Sequence, residues 1–269
     1  MLQAQDFEYD GEFLSDKGYI ICSLDNKNED TIDSDSQLTF NTESFANGKR
    51  FDIASAIYKD RIEFSFLIMK IPYGKTQDEL RISTYESREI KRWLNRPTFK
   101  KFKFIQPEWE DIFMMGSFNV SNVEIFGTVY LLELKFISNS SMAFKEDIVH
   151  KFTSSDSNNE YVFYDESDEI GYIYPNTLKI TCLEDGDLEI HNSIENRTTI
   201  IKNCIKDEVI TFNDDLYFFS SIPSHKIQND FNYIFLRIAN SYENNCNKLT
   251  FSKSVTIEFS YNPYIKAVM

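Results

Sequence analysis

Three histidines, His150, His191 and His225, limit the catalysis that this 269-residue chain could perform. They stand far apart in unrelated contexts, and no His-Glu-x-x-His segment exists, which excludes a zinc protease of that kind. Gly-x-Ser-x-Gly and the glycine-rich phosphate-binding loops are also absent. A Ser-His-Asp triad assembled from distant residues stays open. The sequence otherwise predicts no catalytic residue and no enzyme.

Carboxylates are abundant, with 43 Asp and Glu residues in the chain. Two clusters could supply the paired carboxylates of a glycoside hydrolase, namely Glu108, Glu110 and Asp111, and then Asp165, Glu166, Asp168 and Glu169. In a chain this acidic such clusters arise by chance, and solvated loops explain them. A β-sandwich hydrolase that uses Glu108 or Asp168 remains an alternative interpretation.

Neither a metal nor a cofactor is predicted. The segment Asp25–Ser36 has the composition of a calcium loop, but Asp30 and Ser36 occupy the places where an EF-hand needs Gly and Glu. The four cysteines are scattered and form no Cys-x-x-Cys pair, so we expect reduced thiols in the core. They are Cys22, Cys182, Cys204 and Cys246.

One basic and aromatic patch surrounds Trp109. Its rings are Phe102, Phe104 and Phe113, and its cations are Lys100, Lys101 and Lys103. Stacking rings beside cations are typical of single-strand binding, but a net charge of −15 argues against nucleic acid and anionic membranes. Core or interface packing is the preferred interpretation. No stretch approaches 18 apolar residues, and no signal peptide is predicted.

Aromatic residues make up 15% of the chain, which favours sheets. The segment 62–69 alternates between two largely apolar sets and predicts a strand buried on both faces. Segments 132–136 and 255–261 predict half-buried antiparallel strands, and Asp185-Gly186 predicts a tight hairpin turn. Shorter strands are expected near 160–164, 170–174, 198–202, 208–212 and 216–220. This spacing is typical of a β-sandwich.

One prominent helix is predicted at about 84–95. Ser83 and Glu86 fit a capping box, and Ile90, Trp93 and Leu94 form an apolar stripe. Its remaining face is basic, with Arg88, Lys91, Arg92 and Arg96. We interpret this face either as solvated or as a contact with the acidic surface of a neighbouring subunit.

A polar linker at 154–160 predicts two domains, 1–150 and 151–269. An alternative packs the last strand, 255–261, on the first domain. The fold class is therefore mostly β, a β-sandwich architecture with one prominent helix.

Several segments occur in a recognisable order. They are FEYDG at 7–11, ESREIKRWL at 86–94, GTVYLLELKF at 127–136 and FNYIFLRIAN at 231–240. In this order the chain resembles the distal tail proteins of siphophages and related prophages, and the helix with Trp93 is the most specific motif. The run Asn139-Ser140-Ser141 departs from that pattern, in which Pro often follows Asn-Ser.

The resemblance implies a structural protein of the virion tail tip, made in the bacterial host cytoplasm. It implies an N-terminal belt domain that forms a homo-hexameric ring and a C-terminal galectin-like sandwich. The implied partners are the tail-tube ring, the tail-associated hub protein and a receptor-binding protein or cell-wall saccharide, with DNA passing the lumen unbound. Candidate interface residues are Arg88, Lys91, Arg92, Trp93 and Trp109.

Other interpretations stay open. A carbohydrate-binding sandwich would need a groove with an exposed aromatic residue and converging polar groups. Both tryptophans lie before residue 110, which weakens that idea for the second domain. A tail-tube or other baseplate component would follow the same physics at another position in the particle.

Overall fold

A computed structural model describes residues 4–24, 38–44, 52–58, 61–213, 215–241 and 243–267. The chain divides into two compact units. The first runs to Phe144 and includes the residues from Lys266 onward, and the second is Lys145–Ile265.

The first unit is built on antiparallel strands and one long helix. Its strands are β1 Phe7–Tyr9, β2 Glu12–Phe13, β3 Tyr19–Leu24, β4 Leu38–Ser44, β5 Asp52–Tyr58, β6 Glu63–Lys70, β7 Lys100–Phe104, β8 Ile112–Ile125, β9 Thr128–Ser138 and β10 Ala143–Lys145. Its helix is α1, Thr84–Leu94, with short 3-10 turns at Ser15–Lys17 and Pro107–Trp109. The main sheet has the order β2-β1-β7-β8-β9-β6-β3, whereas β4 and β5 pair only with each other among the described strands.

Phenylalanine rings fill the core of the first unit. The rings of Phe7, Phe66, Phe102, Phe118 and Phe136 are almost completely buried, and neighbouring centroids lie 4.8–6.0 Å apart. These distances allow edge-to-face and offset contacts that add to simple burial. The strand predicted at 62–69 is buried on one face only, since the residues between Phe64, Phe66 and Ile68 are half-buried.

The second unit is a sandwich of two antiparallel sheets. Its strands are β11 Ile148–Thr153, β12 Glu160–Tyr164, β13 Gly171–Ile173, β14 Thr177–Cys182, β15 Gly186–Asn192, β16 Arg197–Cys204, β17 Val209–Asn213, β18 Phe218–Ser220, β19 Ile238–Asn240, β20 Cys246–Phe251, β21 Val255–Tyr261 and β22 Tyr264–Ile265, with the short helix α2 at Ile227–Asp230. One sheet has the order β11-β21-β14-β17-β18, and the other has the order β12-β20-β15-β16.

Both sheets of the second unit contribute to one apolar core. Ile180 and Ile257 come from the five-stranded sheet, and Ile190 and Phe251 come from the four-stranded sheet. The predicted fold class, mostly β with a β-sandwich and one prominent helix, is confirmed. The short strands expected between 160 and 220 are present within two residues of their predicted bounds.

One prediction of local arrangement needs correction. The strands on either side of Asp185-Gly186 do not pair as a hairpin, because β14 and β15 belong to opposite sheets and both direct apolar rows into the shared core. The strand predicted at 255–261 is β21, and it pairs with β11 and β14 inside the second unit. The compact units divide after Phe144, and Ile148–Thr153 pairs along its length with β21.

Candidate functional site

Helix α1 begins at a complete capping box. The Glu86 backbone amide donates to Ser83 Oγ at 3.2 Å, and the Ser83 amide donates to Glu86 Oε2 at 2.8 Å. Lys70 Nζ forms an ion pair with Glu86 Oε1 at 2.7 Å. Burial alone would raise the pKa of Glu86, but the hydrogen bonds from Lys70 and Ser83 outweigh it and lower that pKa. The start of α1 is therefore fixed by local bonds and by β6.

The apolar stripe of α1 is used inside the first unit. Ile90, Trp93 and Leu94 are all buried. The Trp93 ring stacks on Phe7 with centroids 5.7 Å apart, and its Nε1 donates to the Tyr9 carbonyl at 3.2 Å. Trp109 is buried too and packs edge-on against Phe104 at 5.9 Å.

The two tryptophans of the predicted interface are therefore corrected to core residues. Each is only 5% exposed, so their rings leave almost no surface for a neighbouring subunit. The basic members of the same set lie differently. Arg88 and Arg92 are exposed and Lys91 is half-buried, and Arg92 forms an ion pair with Glu89 at 3.0 Å. The outward face of α1 is thus the part of the predicted set that remains available.

A cavity of about 560 Å³ lies beside α1. Its charged lining residues are the cations Lys17, Lys70, Lys75, Arg92 and Arg96 and the anions Glu86 and Glu89. Cations outnumber anions here although the whole chain carries a charge of −15. Tyr19 lines the same cavity, and its buried hydroxyl has no hydrogen-bond partner within the described structure. Burial, with the nearby charge of Glu86, raises the pKa of Tyr19 to about 12.

The hairpin formed by β4 and β5 carries apolar residues on an open face. Leu38 pairs with Tyr58 and Phe40 pairs with Ala56, so these four side chains share one face. Leu38, Phe40 and Ala56 are exposed and Tyr58 is half-buried. Phe40 alone is 68% exposed. The sequence analysis did not single out this hairpin, although the segment between its two strands contains Asn47-Gly48, a residue pair typical of tight hairpin turns.

The basic and aromatic patch around Trp109 offers no stacking platform. Phe102 and Phe104 have no exposed surface, and Phe113 is buried with Lys101 Nζ 4.4 Å from its ring centroid. Lys100 forms an ion pair with Asp10 at 3.2 Å. These rings therefore belong to the core. Single-strand binding needs rings that bases can reach, and these rings are not accessible.

Four residues with side chains of catalytic types meet in the second unit without forming a triad. His225 Nδ1 lies 2.6 Å from Glu208 Oε1, and its Nε2 lies 3.4 Å from Asp230 Oδ2. Ser220 Oγ donates to Glu208 and not to the histidine. A nucleophilic serine must donate to the histidine that deprotonates it, so this cluster lacks the required order. These contacts connect the start of β17 with β18 and α2.

The acidic cluster at 165–169 divides between a cavity and the interior of the second unit. A polar cavity of about 300 Å³ is lined by Asp168 and Glu169 with Glu243, and no described aromatic residue lines it. Asp165 is buried and accepts a hydrogen bond from Ser167 Oγ at 3.0 Å. The Glu108 side chain and the segment Asp25–Ser36 lie outside the described residues.

One cluster with metal-ligating side chains was not expected from the sequence. Cys182, Cys204 and Glu208 are buried, and their ligand atoms lie within 4.8 Å of one another. The two cysteines end strands of opposite sheets, so no sequence spacing could show their contact. Across the ranges that the structure describes, no helix is both long and apolar enough to cross a membrane.

Two family models together cover most of the chain. Residues 2–140 match the phage tail protein N-terminal domain, and residues 142–261 match the phage tail C-terminal domain. The first match alone spans more than half of the sequence, so the chain belongs to this family of phage tail proteins. It is therefore a component of the virion tail.

The solved structures include one that matches over nearly the whole chain. The Dit protein of phage SPP1, described as a paradigm of the hub adsorption apparatus in phages that infect Gram-positive bacteria, aligns with a TM-score of 0.65. The alignment covers 97% of this chain and 99% of that chain at 11% identity. The predicted resemblance to distal tail proteins is confirmed in the fold. No curated protein sequence matches the chain.

Proposed function

We propose that this protein is a non-enzymatic tail-tip adaptor that forms a homo-hexameric ring between the tail tube and the tail-associated hub. The apolar face of the β4–β5 hairpin carries this proposal. A two-stranded hairpin is marginally stable alone in water, and this one exposes Leu38 and Phe40 to solvent in the isolated chain. A second copy that covers this face would stabilise the hairpin and remove apolar surface from water.

The outward face of α1 supports a second contact in the same ring. Arg88, Lys91 and Arg92 face away from the core, and Arg92 also borders the basic cavity. A chain of charge −15 offers acidic surface on every neighbouring copy. Complementary charges at the rim of an interface accelerate association and fix its register more than they raise affinity.

The net charge also fits the passage of DNA. Six copies carry six times the charge of −15, and an acidic lumen repels phosphate groups instead of binding them.

A ring built from identical copies needs head-to-tail interfaces, in which different surfaces of each subunit meet. The hairpin face and the basic face of α1 are two such surfaces on the first unit. The likeness to the Dit protein of a hub adsorption apparatus supports the hub, the tube ring and a receptor-binding protein or cell-wall saccharide as partners.

Oligomeric state tests the proposal directly. We expect the purified full chain to have about six times the monomer mass by light scattering and to show rings in negative-stain images. Phe40→Asp places a charge in the apolar face and should shift the mass to that of a monomer. Phe219→Asp is the matched control, because this exposed phenylalanine lies on β18 of the second unit.

Charge reversal at Arg88 and Arg92 should weaken assembly less than Phe40→Asp does. Assembly of the unaltered protein should also weaken as the salt concentration rises, because exposed ion pairs are screened. If the unaltered protein stays monomeric with tube and hub proteins present, the ring is excluded.

A further inference from the structure

Cys182 and Cys204 meet in the interior of the second unit. Cys182 ends β14 in the five-stranded sheet, and Cys204 ends β16 in the four-stranded sheet. Both are buried, and their Sγ atoms lie within 4.8 Å of each other. The two thiols therefore face each other across the sandwich from opposite sheets.

The chemistry around the pair favours sulfur–sulfur reaction over metal binding. Glu208 is the third donor of the cluster, and Cys182, Cys204 and Glu208 together supply three ligands where structural zinc needs four. Both oxygens of Glu208 are already bonded, with His225 Nδ1 2.6 Å from Oε1 and the Ile205 amide donating to Oε2 at 2.9 Å. A metal would have to break these bonds in a buried place.

The two thiols also differ in acidity. The contact with Cys204 lowers the pKa of Cys182, and the same contact with burial raises the pKa of Cys204. Cys182 is thus the better thiolate, and the thiolate is the species that attacks a disulfide. Cys204 stands beside it as the resolving thiol.

We propose that Cys182 and Cys204 form a disulfide bond that joins the two sheets of the second unit when the protein meets a small disulfide oxidant such as oxidised glutathione. When the sandwich opens locally and admits the oxidant, the Cys182 thiolate attacks one sulfur of oxidised glutathione, and one reduced glutathione leaves. The Cys204 sulfur then attacks the Cys182 sulfur of the mixed disulfide, its proton passes to the departing thiolate, and the second reduced glutathione is released. Two thiols of the protein are oxidised, and one oxidant molecule is reduced to two thiols.

The bond would join β14 of one sheet to β16 of the other. It closes the chain between positions 182 and 204 and so restricts the unfolded state. A bond between sheets also resists their separation, which is the opening motion of a sandwich. All four cysteines are free thiols in the structure, and Cys22 and Cys246 are less buried than the pair.

The test uses the full chain with Cys22→Ser and Cys246→Ser, which leaves only the pair. The protein is purified under reducing conditions and then equilibrated with oxidised glutathione. We expect free thiols after denaturation to fall from two per chain to none, and a peptide linked between Cys182 and Cys204 to appear by mass spectrometry. The Tm of the oxidised form should exceed that of the reduced form by on the order of 10 °C.

Several outcomes would overturn the inference. Two free thiols after prolonged oxidation, or glutathione retained on either cysteine without the linked peptide, would exclude the bond. A Tm that falls on oxidation would show that the fold opposes it. Stoichiometric zinc in the reduced protein, lost in Cys204→Ala, would assign the cluster to a metal instead. The Cys182→Ala variant is the control, because its single remaining thiol should leave the Tm unchanged by oxidant.

Discussion

The two units of this protein place their polar groups in opposite ways. Buried polar residues of the first unit, within the described ranges, are Ser87 and Ser138, whereas those of the second are Ser154, Asp165, Asn192, Thr199, Glu208, His225, Asn247 and Ser260. The first unit has an aromatic core and directs cations and an apolar hairpin outward. The second holds its polar groups inside, bonded to one another. We infer that the stability of the first unit depends mainly on aromatic packing, whereas that of the second also depends on buried hydrogen bonds.

Replacing Trp93 by Ala should give the largest loss of stability in the first unit. The change removes a ring stacked on Phe7 and the hydrogen bond to Tyr9, and it leaves a cavity in the aromatic core. We expect the free energy of unfolding of the first unit to fall by about 3–5 kcal/mol. Urea denaturation followed by the fluorescence of Trp109 measures it, because both tryptophans lie in the first unit.

Tyr85→Ala is the control for this substitution. Tyr85 lies on the same helix and is 72% exposed, so its removal should change the free energy of unfolding by less than about 0.5 kcal/mol. Equal losses for Trp93→Ala and Tyr85→Ala would mean that helix α1 does not anchor the aromatic core.

Replacing Asn247 by Ala should destabilise the second unit through polar groups instead of a cavity. Asn247 Oδ1 accepts from Asn192 Nδ2 at 2.9 Å and from the Ala239 amide at 3.0 Å, and its Nδ2 donates to the Ala239 carbonyl at 2.8 Å. Alanine leaves these buried partners unsatisfied, so we expect a loss of about 2–3 kcal/mol.

Far-UV circular dichroism during urea denaturation detects this loss, while Trp109 fluorescence should report an unchanged first unit. Asn158→Ala is the matched control, because Asn158 is exposed in the loop between β11 and β12. If Asn247→Ala lowers both transitions equally, the two units unfold together and the contrast between them does not hold for stability.

The sequence predicted local features such as a helix cap and the alternation of strands. It did not predict contacts between residues that are far apart in the chain. The capping box at Ser83 and Glu86 and the inward rows of β9 and β21 follow from short spacings, and the structure contains them. Asp185-Gly186 has the chemistry of a hairpin turn, but which sheet receives the next strand depends on the whole core. An apolar stripe with Trp93 fits a core or an interface equally well, so the sequence could not choose. The Cys182–Cys204 contact has no local signal.

The smallest expected effect is the pH dependence of the stability of the second unit. Burial lowers the pKa of His150 below its ordinary value of 6.5, and the nearby charge of Glu166 only partly opposes this. The unfolded chain therefore binds a proton at a higher pH than the folded chain does. Stability of the second unit is then complete above about pH 6.5 and falls as the pH decreases below it, by at most about 1.4 kcal/mol per pH unit.

The first unit should begin to lose stability at lower pH, because its Glu86 has a lowered pKa and that contribution disappears only below the ordinary value of 4.5. Denaturation at pH 7 and pH 5.5 should thus weaken the circular dichroism transition of the second unit but not the tryptophan transition of the first. His150→Phe keeps a ring against Phe259 and removes the titrating group, so the difference between the two pH values should shrink. A pH dependence that survives His150→Phe would assign acid sensitivity to other groups and remove this distinction between the units.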